Sequence, residues 1–217
     1  MGELINQSTI LKYLKTKSTD LSFIDKLKVV YRPLICPFDD LLNYIEKEDS
    51  VFDIGCGSGQ FCALVAKFTP ADEIYGIEIS ETLVQNARIV NQEFKDEKNI
   101  QFETFNGSEI PSLIQNYSKI YLIDVLHHVP KENQLEFLKE IYSKMSVGSR
   151  LILKDIDASS LFVYCNKIHD LVFSREIGNE MKANFAKKVV EEIGFKVLES
   201  YTKRMFVYPH YFLILEK

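Results

Sequence analysis

With 217 residues, 46% of them hydrophobic and 26% charged, the chain is long enough to bury one core without a disulfide or metal staple, and a disordered or fibrous class is excluded. Its net charge of −5 comes from interleaved acids and bases; the densest basic stretch, Lys187-Lys188, runs straight on to Glu191-Glu192. Polyanion binding draws its affinity from a basic stripe, so a nucleic-acid substrate is disfavoured.

In chain order, the first fifty residues read as helices. Phe23, Leu27 and Val30 recur at helical spacing until Pro33 stops them, and Pro37 opens a helix whose apolar face is Phe38, Leu41, Leu42 and Ile45. From Val51 onward strands and helices alternate. Short apolar runs lie at Val51–Ile54, Ile74–Ile79, Ile100–Phe105, Ile120–Ile123 and Leu151–Leu153. Between them fall helical patterns over Phe61–Phe68, Glu81–Phe94 and Gln134–Met145, the last closed by Gly148. This alternation predicts right-handed crossovers and a parallel sheet covered by helices on both faces, an α/β fold. A helix-like stretch, Leu161–Phe173, carries Tyr164 and the pair His169-Asp170. A further helix with Phe185, Val189 and Ile193 ends at Gly194. Two strand-like segments then follow, Phe195–Tyr201 and Tyr211–Glu216, too close for a helix between them, so they pair antiparallel or lie side by side through a short link.

The four cysteines, Cys36, Cys56, Cys62 and Cys165, form no C-x-x-C pair and have no histidine at ligand spacing, so reduced thiols and no metal are expected. No apolar run approaches the roughly 18 residues of a membrane span, and residues 1–15 lack a signal-peptide pattern. The expectation is a cytoplasmic protein.

The most informative segment is Val51-Phe52-Asp53-Ile54-Gly55-Cys56-Gly57-Ser58-Gly59-Gln60-Phe61. A buried strand feeds a loop with three alternating glycines and then a helix, whose first N–H groups and positive dipole end face the crevice at the carboxyl end of the sheet. The next strand ends on Glu78, 19 residues after Gly59, where a carboxylate can accept both hydroxyl protons of a ribose. The loop is not the dinucleotide fingerprint G-x-G-x-x-G, because Gln60 and Cys62 stand where its last glycine is required. Instead Asp53 lies two residues before the first glycine; it would repel a pyrophosphate and suits a sulfonium or an α-ammonium group.

On these residues the chain resembles the class I S-adenosylmethionine-dependent methyltransferases, over about residues 48–217. Asp53, Gly55, Gly57 and Gly59, with Cys56 in the loop, match the family's first motif; Glu78 matches its ribose acid and Ile79 the apolar residue under the adenine. Asn106-Gly107 falls where an acid contacts the adenine amino group, here through an amide oxygen. Asp124-Val125-Leu126-His127-His128 looks like the strand-four motif of the branch that includes ubiquinone-type and small-molecule enzymes. The resemblance implies a seven-stranded Rossmann-like sheet with an antiparallel last strand, an N-terminal helical cap over 1–47, S-adenosylmethionine as cofactor with S-adenosylhomocysteine as product, and a small-molecule acceptor. His128 is the candidate catalytic base, and Asp124, at the end of strand four, either faces the donor's reactive end or holds the strand-to-helix turn. Arg32, beside Tyr31, is either a solvated charge or closes over a carboxylate tail of donor or substrate, and His127, Asp155 and Tyr164 are further substrate candidates. Acceptors on protein or tRNA, a donor-binding scaffold without turnover, and a nicotinamide-dependent oxidoreductase are the competing readings.

Overall fold

The structure, a computed structural model, describes residues 6–17, 32, 34–160, 163 and 178–217. Phe23, Leu27, Val30, Tyr31, Pro33, Tyr164, Cys165 and His169-Asp170 lie outside the described residues. Among the described residues, seven strands form one mixed sheet in the order β3 (Asn99–Thr104), β2 (Glu73–Glu78), β1 (Ser50–Ile54), β4 (Lys119–Ile123), β5 (Arg150–Ile156), β7 (Tyr208–Glu216), β6 (Lys196–Met205). The chain divides into two compact units, Met1–Thr104 and Phe105–Lys217.

In the first unit, α1 (Gln7–Lys17) and the short α2 (Phe38–Leu42) precede β1 (Ser50–Ile54). Pro37 stands at the N-cap of α2, and the helix ends at Leu42 rather than reaching Ile45. Then come α3 (Gln60–Phe68), β2 (Glu73–Glu78), α4 (Glu81–Val90) and β3 (Asn99–Thr104). The strands are parallel, with Asp53 beside Gly76 and Glu78 beside Thr104. β1 is buried from Val51 to Ile54 and α3 from Gln60 to Ala66, so apolar side chains meet on both faces of the strand, as a covered parallel sheet requires. Phe38 stacks on Phe61 with centroids 6.1 Å apart. The Ser80 hydroxyl caps α4 by accepting from the Leu83 N–H at 3.4 Å. The predicted helix over 81–94 breaks at Asn91, whose side chain turns inward to the backbone instead of continuing a solvent face.

In the second unit, β4 (Lys119–Ile123) runs parallel to β5 (Arg150–Ile156), with α5 (Gln134–Lys144) between them in sequence. After α6 (Ala183–Ile193), which ends on left-handed Gly194, β6 (Lys196–Met205) and β7 (Tyr208–Glu216) form an antiparallel hairpin joined through Phe206-Val207. β7 also pairs antiparallel with β5, and burial from Tyr208 to Leu215 explains its unbroken apolar run. Gly148 does not close α5. The helix stops at Lys144 because Met145 is extended, and Gly148, at φ 83°, makes the turn into β5 with its N–H on the Lys217 carbonyl at 2.9 Å.

Candidate functional site

In the first unit the chain leaves β1 through Gly55, Gly57 and Gly59, all with positive φ (74°, 55° and 70°). The loop is strapped to β2: the Gly55 and Cys56 N–H groups both donate to the Ile77 carbonyl, at 2.8 and 3.0 Å. Two of the glycines do different work. Among the described residues, a Cβ at Gly57 would meet Arg32 Nη1 alone, at the ordinary contact distance of 3.8 Å. A Cβ at Gly59 would lie 2.7 Å from Asn91 Nδ2 and 2.8 Å from the Ala87 Cβ. Gly59 is therefore demanded by α4 behind the loop, where Asn91 Nδ2 donates to the Gly59 and Ala87 carbonyls at 3.0 and 2.9 Å.

Asp53 is 2% exposed, and its hydrogen-bond partner among the described residues is the Cys62 thiol, donating at 3.5 Å. Burial pushes its carboxyl up to about 7, while the Cys62 bond and the Arg32 guanidinium pull it down. Burial also raises the Cys56 and Cys62 thiols, with Asp53 adding to it, which leaves both protonated and unreactive. Glu78 is already occupied by backbone: Oε2 accepts from Gly57 N–H at 3.0 Å, and Oε1 accepts from Ile79 and Ser80 N–H at 2.9 and 3.2 Å. Only Oε2 retains a lone pair beyond its own loop. Ile79 follows with its side chain 64% exposed.

In the second unit, Asn106 Oδ1 accepts from Ser108 N–H, Ser108 Oγ–H and Glu109 N–H at 3.0, 3.2 and 2.8 Å, and Gly107 is left-handed. The amide oxygen assigned to adenine by resemblance thus holds an Asx turn. Asp124 ends β4 at φ 55°, an uncommon conformation for a side-chain-bearing residue. Lys154 fixes it twice, accepting the Asp124 N–H at its carbonyl (2.9 Å) and donating from Nζ to Oδ1 at 2.6 Å. Lys154 is fully buried, so the pair is an ion pair with its cation in the core.

The histidines separate. His127 is 3% exposed; its N–H donates to Asp155 Oδ2 at 3.0 Å and its Nδ1 sits 2.5 Å from Asp155 Oδ1. His128 is exposed, its ring 4.1 Å from that of His127. Gln134 Nε2 clamps their turn through the Leu126, Val129 and Asn179 carbonyls. Opposite Asp155 on β7, the Tyr211 hydroxyl is buried with no hydrogen-bond partner among the described residues; burial first, then Asp155, Asp157 and Asp124, keeps it a neutral phenol. Among the described residues, no group of His, Cys, Asp and Glu is arranged to hold a metal ion, and no helix is long and apolar enough to cross a membrane. Sequence reasoning missed Lys154, Asn91, Gln134 and Tyr211. Lys154 left a trace: a lysine inside the apolar run Leu151–Ile156 of a covered strand must have a buried partner.

A family model described as "Methyltransferase domain" matches residues 30–200. The chain belongs to the methyltransferase-domain family. Its architecture is the Rossmann-like fold of the class I S-adenosylmethionine-dependent members, with the antiparallel last strand expected of them. The chain is 23% identical over 161 residues to sterol 24-C-methyltransferase ERG6 of Saccharomyces cerevisiae, covering 72% of this chain and 41% of the yeast enzyme. It is 26% identical over 161 residues to a tRNA (guanine-N(7)-)-methyltransferase of Prochlorococcus marinus, covering 69% of this chain and 70% of that one. The chain spans half or less of the length of the first curated relatives it matches. Among solved structures, magnesium protoporphyrin IX methyltransferase from Synechocystis, with bound S-adenosylhomocysteine, superposes with a TM-score of 0.69 at 22% identity, over 97% of this chain and 96% of that one.

Proposed function

We propose that this methyltransferase takes S-adenosylmethionine as its donor on residues 53–59 with Glu78 and Ile79, and moves the methyl group to a small-molecule nucleophile. The observation that carries the reading is Asp53, a buried carboxylate whose hydrogen-bond partner among the described residues is a thiol, at the foot of a glycine loop where a Cβ at Gly57 would meet the Arg32 guanidinium only at ordinary contact distance. Such a group favours a cationic ligand and repels a pyrophosphate. The residues present therefore fit the group.

When bound, the sulfonium supplies a methyl group already activated for displacement. The chain's own residues hold and orient. Glu78 Oε2 has room for one ribose hydroxyl; a second on Oε1 requires release of the Ile79 or Ser80 N–H. The exposed Ile79 side chain offers an apolar face for adenine. Arg32, with Tyr31 beside it in sequence, is assigned to the carboxylate tail, Asn106-Gly107 to the rim of the adenine and Asp124 to the reactive end. Aligning nucleophile and methyl carbon at about 3–3.5 Å contributes roughly 7–11 kcal/mol. His128, on a clamped turn with its ring exposed, takes the proton of a phenol, amine or acidic carbon; a carboxylate acceptor needs no base. His127 and Asp155 hold that turn.

A lipid-like or aromatic acceptor is supported by the sterol and tetrapyrrole enzymes among the relatives. The tRNA enzyme supports a second reading, against which the net charge of −5 weighs. Calorimetry is expected to show binding of S-adenosylmethionine and S-adenosylhomocysteine and none of NAD; indifference to the sulfonium at millimolar supply removes the reading. Turnover with sterol, tetrapyrrole and bulk tRNA then separates the acceptors. With a proton-bearing acceptor, His128→Asn is expected to lower kcat by about 10²-fold or more and to flatten the pH–rate profile.

A further inference from the structure

The polar groups of the first unit are not all accounted for by Asp53, Glu78 and Arg32. Gln60 is the first residue of α3, directly after Gly59, and is 6% exposed. Its Oε1 is buried with no hydrogen-bond partner among the described residues. Polar side chains at this depth are ordinarily satisfied, because an orphaned carbonyl oxygen has given up its water for nothing. At the first helical position the Cα–Cβ bond leans back towards the helix N-terminus, the end at which the glycine loop joins α3. Two residues further on, Cys62 reaches Asp53, and Arg32 Nη1 stands 3.8 Å from the Cβ position of Gly57. The helix start therefore gathers, among the described residues, an amide acceptor without a partner, a carboxylate with a single thiol donor, and a guanidinium.

We propose that Gln60 is a specificity-determining residue for the amino-acid tail of the donor, its Oε1 accepting an N–H of the α-ammonium group beside Asp53. The inference rests on the donor assignment above and adds to it a residue that the loop motif does not specify. An ammonium carries three donors; Asp53 and Gln60 supply acceptors for it, while Arg32 has the charge for the neighbouring carboxylate. A neutral acceptor adds hydrogen-bonding capacity without a second buried negative charge next to Asp53 and Glu78.

Two ligands that differ only in the tail test this. S-adenosylhomocysteine carries the amino-acid group, and 5′-methylthioadenosine keeps the adenosyl thioether without it. By calorimetry on the full chain, Gln60→Leu is expected to weaken S-adenosylhomocysteine about five- to tenfold. The same variant should bind 5′-methylthioadenosine within about twofold of wild type, which also reports an intact fold. Unchanged S-adenosylhomocysteine affinity in Gln60→Leu, or equal losses for both ligands, overturns the assignment. Wild type that binds neither ligand instead removes the donor reading, and this inference with it.

Discussion

Asp53 has its ordinary carboxyl value near 3.8 when the chain is unfolded and about 7 when it is folded and ligand-free. Between those values the folded chain keeps a proton that the unfolded chain has lost. Stability therefore falls as the pH rises from about 4 to 7 and levels off above. Urea denaturation at pH 5 and pH 8 should show this loss, and Asp53→Asn should abolish it. A cationic ligand reverses the preference by stabilising the carboxylate. Affinity for S-adenosylmethionine is thus expected to climb by up to about tenfold per pH unit and to flatten above 7, a slope that Asp53→Asn removes. The Lys154–Asp124 pair gives an asymmetric expectation, because Lys154 is fully buried and Asp124 is 21% exposed. Asp124→Asn strands an ammonium in the core and should cost about 3–5 kcal/mol. Lys154→Met leaves a carboxylate near water and should cost less, and the double variant should recover most of the loss in chemical denaturation. At this scale the sequence shows Asp53 and Glu78 because their spacing from the glycines is fixed by the strand-loop-helix geometry. Gln60 and Asn91 were illegible, since their importance lies in which partners they lack or reach, and spacing carries no such information.

Strand and helix identities were readable wherever periodicity was clean, as in Val51–Ile54 and the stripe of Gln134–Met145. Ends were harder. The α4 pattern overran Asn91 because an inward-turning amide looks like any polar surface residue, and the glycine after α5 looked like a cap although it serves the next turn. The β6–β7 link was foreseen as short, but not that it would place Phe206 at φ 52° and 75% exposed. A left-handed phenylalanine is strained, whereas asparagine tolerates that conformation. Phe206→Asn should raise the Tm by about 1–3 °C in a thermal melt. The two loop glycines should also part company. Gly57→Ala meets Arg32 at an ordinary contact distance and bears the left-handed strain of about 1–2 kcal/mol. Gly59→Ala adds a clash with Ala87 and Asn91, which overpacking typically makes about 1–3 kcal/mol worse, a difference that denaturant titration resolves.

For the molecule as a whole, the alternating pattern and the closing strand pair were enough to read the sheet, because each crossover leaves its own mark in the sequence. Which strand the closing pair joins was not written there. The pairing of β7 with β5 couples residues about sixty positions apart, beyond the reach of local signals. That same strand is inserted between β5 and β6 although it follows both along the chain. A polypeptide leaving the ribosome has made β5 and its apolar Leu151, Ile152 and Leu153 well before residues 208–216 exist to cover that flank. Unpaired, it offers its open backbone groups to any neighbouring copy. Nascent chains stalled at Met205 should therefore clump or recruit chaperones, and slow translation over the final hairpin would prolong the danger.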